Sequence, residues 1–100
     1  MENNGWIETQ VELRNKHGLH MRPAQQVVAT ASEFKSEIQA CAPDYNANAK
    51  SILDMIEFAA QMVNHTNNGV QTFVFRARGD DAAQALEALQ ELVEKHFGED

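Results

Sequence analysis

Val70-Gln71-Thr72-Phe73-Val74-Phe75-Arg76-Ala77-Arg78 is the most strand-like segment of the chain. Phe73, Phe75 and Ala77 recur at every second position, the period of an extended chain with one face turned to a core. Outward from this segment, both neighbours read as helices. On the C-terminal side Gly79-Asp80-Asp81 is a turn with a cap residue, and Ala82, Ala85, Leu86, Leu89, Leu92, Val93 and His96 follow at helical spacing. On the N-terminal side a helix opens at Ser51 and carries the apolar stripe Ile52, Met55, Ile56, Ala59 and Val63. Asn67-Asn68-Gly69 is expected to end that helix, because Asn and Gly accept the left-handed cap conformation.

Further toward the N-terminus, Glu37 to Ala42 is a strand with Ile38, Ala40 and Ala42 on one face. Pro43-Asp44 makes a turn, and a short strand runs on through Asn48. Ala24, Val27, Val28 and Ala31 form another helix face, with Pro23 near its start, where the missing N–H costs nothing. Ile7, Thr9, Val11 and Leu13 alternate with polar residues as a half-buried first strand, and Lys16-His17-Gly18 is a turn. The order is β-α-β-β-α-β-α. It predicts an α+β open-faced β-sandwich: a four-stranded antiparallel sheet with three helices on one face. Residues 1–100 hold no repeat, low-complexity tract or linker, and a length of 100 residues suits a single domain.

Composition narrows the function. Apolar residues make up 43% of the chain, enough for one core but not two, and a deep substrate-enclosing cleft is hard to build from 100 residues, so function is expected at the surface. The net charge is −7, and the eight Lys and Arg residues are scattered with no two adjacent. Nucleic acid is therefore not an expected partner, since backbone binding needs clustered cations. Basic patches on other proteins suit such a surface better. Cys41 is the single cysteine, so no internal disulfide forms, in keeping with a reducing compartment. The first ten residues, MENNGWIETQ, lack the basic and apolar regions of a signal peptide, and no apolar stretch approaches the roughly 20 residues of a membrane span. A cytoplasmic location is expected, with the Asn64-His65-Thr66 sequon unused. Neither a nucleophile–base–orienter set nor a Gly-rich nucleotide loop is present, so a stand-alone enzyme is not expected, and no cofactor is implied.

The chemistry concentrates in Gly18-Leu19-His20-Met21-Arg22-Pro23-Ala24. His20 stands just before a helix, where first-turn amides lack intrahelical partners and the dipole is positive. An anion is favoured there, so a phosphoryl group on His20 would meet those amides, with Arg22 adding charge-assisted hydrogen bonds. The positive end also disfavours imidazolium, which suits a nucleophile. Gly18 is expected to let a partner approach closely. The same spacing fits a plainer account, with His20 an ordinary histidine at a helix start and Arg22 a surface cation. His17 and His20 are three apart, but two ligand-type residues alone do not make a metal site.

Ser51-Ile52-Leu53-Asp54 has the form of a capping box, with Ser51 as cap and an acidic side chain three residues on. Leu53 lies off the core stripe and is the better surface candidate, while Ile52 and Ile56 fit the core.

GLHMRPA resembles the active-site signature of the histidine-containing phosphocarrier protein (HPr) family of the bacterial phosphoenolpyruvate-dependent sugar phosphotransferase system. Asn48-Ala49-Lys50-Ser51-Ile52-Leu53 is similar to that family's second signature, and the resemblance spans residues 7–97. It implies that His20 is phosphorylated on Nδ1 by the first enzyme of the system and donates to a sugar-specific second component, with Arg22 contacting the phosphate. Ser51 matches a serine that a dedicated kinase phosphorylates in some bacteria. Such a phosphate would add roughly two negative charges to a docking surface without unfolding the helix. Leu53, Ile52, Ile56 and Lys50 fall where the family docks its partners beside the histidine, although a solvated role also fits Lys50. A carrier that shows one face to several partners is expected to be a monomer.

The chain departs from the family in three places. Between Ser51 and Gly79 it is longer by about seven residues, two helical turns, with the excess near Gln61 to Asn68. Met21 stands where smaller residues are usual, and His17 where a short polar one is. Two further readings stay open: a regulatory paralogue that signals through His20 or Ser51 without feeding sugar transport, and a non-catalytic α+β interaction module with an inert histidine.

Overall fold

The computed structural model describes residues 5–14 and 18–98. Its elements are β1 (Ile7–Leu13), α1 (Met21–Ala31), β2 (Glu37–Ala42), β3 (Tyr45–Asn48), α2 (Ile52–Met62), a 3-10 turn (Val63–His65), β4 (Thr66–Asn67), β5 (Val70–Arg78), α3 (Ala82–Glu94) and a closing 3-10 turn (His96–Gly98). The expected order is present, with one addition. The antiparallel sheet has five strands rather than four, in the order β1-β5-β2-β3, and the two-residue β4 pairs with the start of β5.

The extra strand comes from turn chemistry. Asn68 and Gly69 both take positive φ, at 55° and 80°, between the paired residues Asn67 and Val70. Positive φ at both central positions is the twist a two-residue hairpin needs, and Asn-Gly is its preferred pair. Asn67-Asn68-Gly69 therefore builds a hairpin and does not cap α2, which has already ended at Met62.

One face of the sheet is apolar. Val11 and Leu13, Ile38, Ala40 and Ala42, Ala47, and Phe73, Phe75 and Ala77 are all buried. They meet Ala24, Val27 and Ala31 of α1, Met55, Phe58 and Met62 of α2, and Ala85, Leu86, Leu89 and Val93 of α3. Phe58 packs edge-on against Phe73 with centroids 5.0 Å apart, and Phe73 against Phe75 at 5.1 Å. Such pairs contribute about 0.5–1.5 kcal/mol each beyond the area they bury. The α2 stripe is thus rotated from the sequence expectation. Ile56 and Val63 are exposed, Ile52 and Ala59 are half-buried, and the bulky Phe58 takes the centre. In α3, His96 lies past the helix end in a positive-φ turn.

The open face carries Trp6, which is buried beneath the guanidinium groups of Arg76 and Arg78, 4.3 and 4.4 Å from its ring centre. Those cations are held by Gln39 and Glu37 on β2.

Polar contacts fix the direction of the helix pair. Lys50, just before α2, donates its ammonium to the Phe34 carbonyl beyond the end of α1 at 2.6 Å. At the other end, Gln71 bonds to both the Met62 carbonyl of α2 and the Leu19 amide before α1. The helices run antiparallel, so His20 and Ser51 sit at opposite ends of the pair.

Candidate functional site

His20 is the N-cap of α1. Its backbone is extended (φ −126°, ψ −165°), and its carbonyl accepts the Ala24 amide at 2.9 Å. The half-buried side chain makes no capping bond to the first turn, so the imidazole is not consumed in closing the helix. Met21 and Arg22 are the first two residues of α1, whose amides a helix does not pair internally, and Pro23, third in the helix and buried, has no amide to offer. An anion at this end meets two backbone donors and the positive end of the dipole. Arg22, second in the helix, is exposed. The neighbouring Met21 is 52% exposed, leaving an apolar rim. His17 lies outside the described residues.

The loop ahead of His20 is anchored from the sheet. Gly18 has φ +61°, and a Cβ there would lie 2.7 Å from Gln71 Oε1. It is buried against this carboxamide, so its missing side chain makes room for Gln71 and not for an approaching partner. Gln71 Oε1 accepts the Leu19 amide at 2.8 Å. Its Nε2 donates to Thr66 Oγ1 at 3.0 Å and reaches the Met62 carbonyl at 3.5 Å, which also accepts the Thr66 hydroxyl at 3.2 Å. Sequence reasoning passed over Gln71, yet a signal was there. It shares the alternation of Phe73, Phe75 and Ala77, and a polar side chain on a core-facing position must find partners.

At the start of α2, Ser51 Oγ accepts the Asp54 amide at 3.2 Å, which is the cap expected of it. The return arm of the box differs. Asp54 Oδ2 accepts the Asn48 amide at 3.0 Å, and the Ser51 amide goes to the Asn48 carbonyl. Asp54 thereby ties the end of β3 to the helix. Lys50 is partly buried and spends its ammonium on Phe34. Leu53 is 77% exposed and Ile56 36%, one turn apart along α2, with Ile52 half-buried beside them. This apolar strip begins beside Ser51 and runs along the first turns of α2.

Elsewhere, burial pushes the thiol of Cys41, on the open face, above its ordinary range, which removes it as a ready nucleophile. Among the described residues, no group of three or more His, Cys, Asp or Glu side chains is placed to hold a metal ion. No helix among them is long and apolar enough to cross a membrane.

The chain is similar to known proteins in both sequence and fold. The PTS-HPr family, described as PTS HPr component phosphorylation site, matches residues 7–95. The phosphocarrier protein HPr of Neisseria meningitidis serogroup A is 33% identical over 93% of this chain and 97% of its own length. The phosphocarrier protein NPr of Shewanella violacea is 34% identical over 93% of this chain and 94% of its own length. Among solved structures, an HPr from Thermoanaerobacter tengcongensis superposes with a TM-score of 0.78 at 37% identity, covering 94% of this chain and 98% of that one.

Proposed function

The chain belongs to the PTS HPr family of phosphocarriers, and on that premise we propose that His20 accepts a phosphoryl group from the phosphoenolpyruvate-dependent first enzyme and passes it to a sugar-specific second component. The observation that carries this reading is the position of His20 as an N-cap whose imidazole makes no capping bond, at the mouth of α1. The transfer is a substitution at phosphorus. A bond forms to Nδ1 of the imidazole as the bond from phosphorus to the donor breaks, and the second component later repeats the exchange in the forward direction. Two backbone amides and the Arg22 guanidinium receive the phosphate oxygens. An exposed helix N-terminus favours an anion by about 0.3–1 kcal/mol, and a hydrogen bond to a charged group adds roughly 1.5–3 kcal/mol. Interactions of this size steady the phosphoryl group without trapping it, as a carrier requires.

Partners dock on the apolar strip of Leu53 and Ile56, with Ile52 behind it and Met21 as a rim beside the histidine. A small apolar patch ringed by polar groups suits contacts that form and break in each transfer. Lys50 and Ser51 lie at the far end of this face, where a phosphate on Ser51, placed by a serine kinase, would alter docking. The carrier works in the cytoplasm as a monomer.

A second reading keeps the chemistry of His20 but has the phosphoryl group signal instead of reaching a sugar. The NPr relative, as similar to this chain as the HPr one, favours weighing it. The test is incubation with phosphoenolpyruvate and the first enzyme, followed by intact mass. One acid-labile phosphate is expected on the wild type and none on His20→Ala. Equal labelling of that variant would remove the assignment. Adding the second component and a labelled sugar separates the two readings.

A further inference from the structure

Leu19 is buried, so its amide has no solvent to turn to and depends on Gln71. Gln71 is itself 7% exposed and fixed from behind by Thr66 and the end of α2, which makes its carbonyl a rigid acceptor. Leu19 immediately precedes His20. The amide bond that Gln71 holds is thus two rotatable backbone dihedrals from the φ of the phosphoacceptor, whose backbone is extended at the N-cap of α1.

We propose that Gln71 is a positioning residue for phosphoryl transfer: its carbonyl, by holding the Leu19 amide, orients the His20 imidazole over the α1 amides. This rests on His20 being the phosphoacceptor. Gln71 touches neither the phosphate nor the partner strip, so its effect falls on the transfer step and not on docking. Transfer rates respond steeply to such placement, since an error of about 1 Å can lower them up to 100-fold. Thr66 and β4 belong to the same arrangement. The Asn68-Gly69 hairpin brings the Thr66 hydroxyl to the back of the carboxamide. The long connection after α2 thereby supports the loop before α1.

The experiment compares the wild type, Gln71→Met and Ile38→Val as substrates of the first enzyme, at a temperature where all three are folded. Met keeps the length of Gln and removes the acceptor, while Ile38→Val weakens the core on β2 without touching the loop. For Gln71→Met, a fall of about tenfold in kcat is expected, with KM for the carrier within about twofold of wild type. Ile38→Val is expected to match the wild type in both. An unchanged kcat in Gln71→Met, a change carried by KM alone, or an equal fall in Ile38→Val overturns the proposal. Amide hydrogen exchange on the wild type gives a check that needs no variant. Leu19 is expected to be protected, and exchange at the rate of an open amide overturns the proposal too. If the wild type takes no phosphate on His20, both the phosphoacceptor assignment and this role fall. A labelled wild type with an unimpaired Gln71→Met removes the role of Gln71 alone.

Discussion

Asp81 holds Ser36 by two bonds: its Oδ1 accepts the Ser36 hydroxyl at 2.6 Å and the Ser36 amide at 3.0 Å. Oδ2 takes the Lys35 amide at 2.9 Å, so a residue placed as the cap of α3 instead clasps the connection from α1 to β2. The Ser36 hydroxyl, followed by the Lys35 amide, holds the Asp81 carboxyl below the usual carboxylate range. A group whose folded pKa is depressed stabilises the fold above its unfolded pKa, and that stabilisation is lost as pH falls through the folded value. Asp81→Ala is expected to melt below the wild type at pH 7, and the gap should close on acidification below about pH 4. Thermal melts of both proteins across that range check it. A gap that stays constant with pH would falsify the ionic role.

Gly79 faces the same serine. A Cβ there would lie 2.9 Å from the Ser36 backbone Cα, and its φ of 143° strains any L residue. Gly79→Ala should cost roughly 1–3 kcal/mol, with phosphoryl acceptance intact in the folded fraction. Denaturant titration reads the first quantity and labelling with phosphoenolpyruvate the second.

Ser51 closes the first turn of α2 through the Asp54 amide. Ser51→Ala should lose about 1 kcal/mol of stability, and Ser51→Asp should retain most of it, because Asp is also a strong N-cap. If the far end of the docking face matters to partners, Ser51→Asp transfers more slowly than Ser51→Ala despite being the more stable of the two. Equal rates would rule out regulation through charge at this position.

Leu53 and Phe58 separate docking from folding. Leu53→Ala removes a side chain that is 77% exposed and is expected to change stability by no more than about 0.5 kcal/mol. It should raise KM for the first enzyme several-fold with kcat preserved. Phe58→Ala empties the middle of the core and should cost about 3–5 kcal/mol. An unaltered KM in Leu53→Ala would move the partner face elsewhere.

Short-range patterns carried most of the fold. The alternation of β5, the spacing of α1 and α3, and the position of His20 ahead of Pro23 can be read one residue at a time. What escaped depends on long-range pairing. Asn67-Asn68-Gly69 fits a helix end as well as a hairpin, and only the neighbouring strand, with Gln71 opposite Thr66, selects the hairpin. The α2 stripe was misphased because Phe58, opposite Phe73, anchors the helix more strongly than Ile56 and Val63. Gln71 and Asp81 act across 52 and 45 residues of chain, on Leu19 and Ser36, and no local motif announces such contacts.

The antiparallel course of α1 and α2 has an electrical consequence. Along an 11-residue helix the ends lie on the order of 16 Å apart, about twice the Debye length of physiological salt. A dianion at the Ser51 end is thus largely shielded from one at the His20 end. If His20 and Ser51 take phosphate as proposed, the two groups repel each other little, so a phosphate on Ser51 acts through the docking face and not directly on the phosphohistidine.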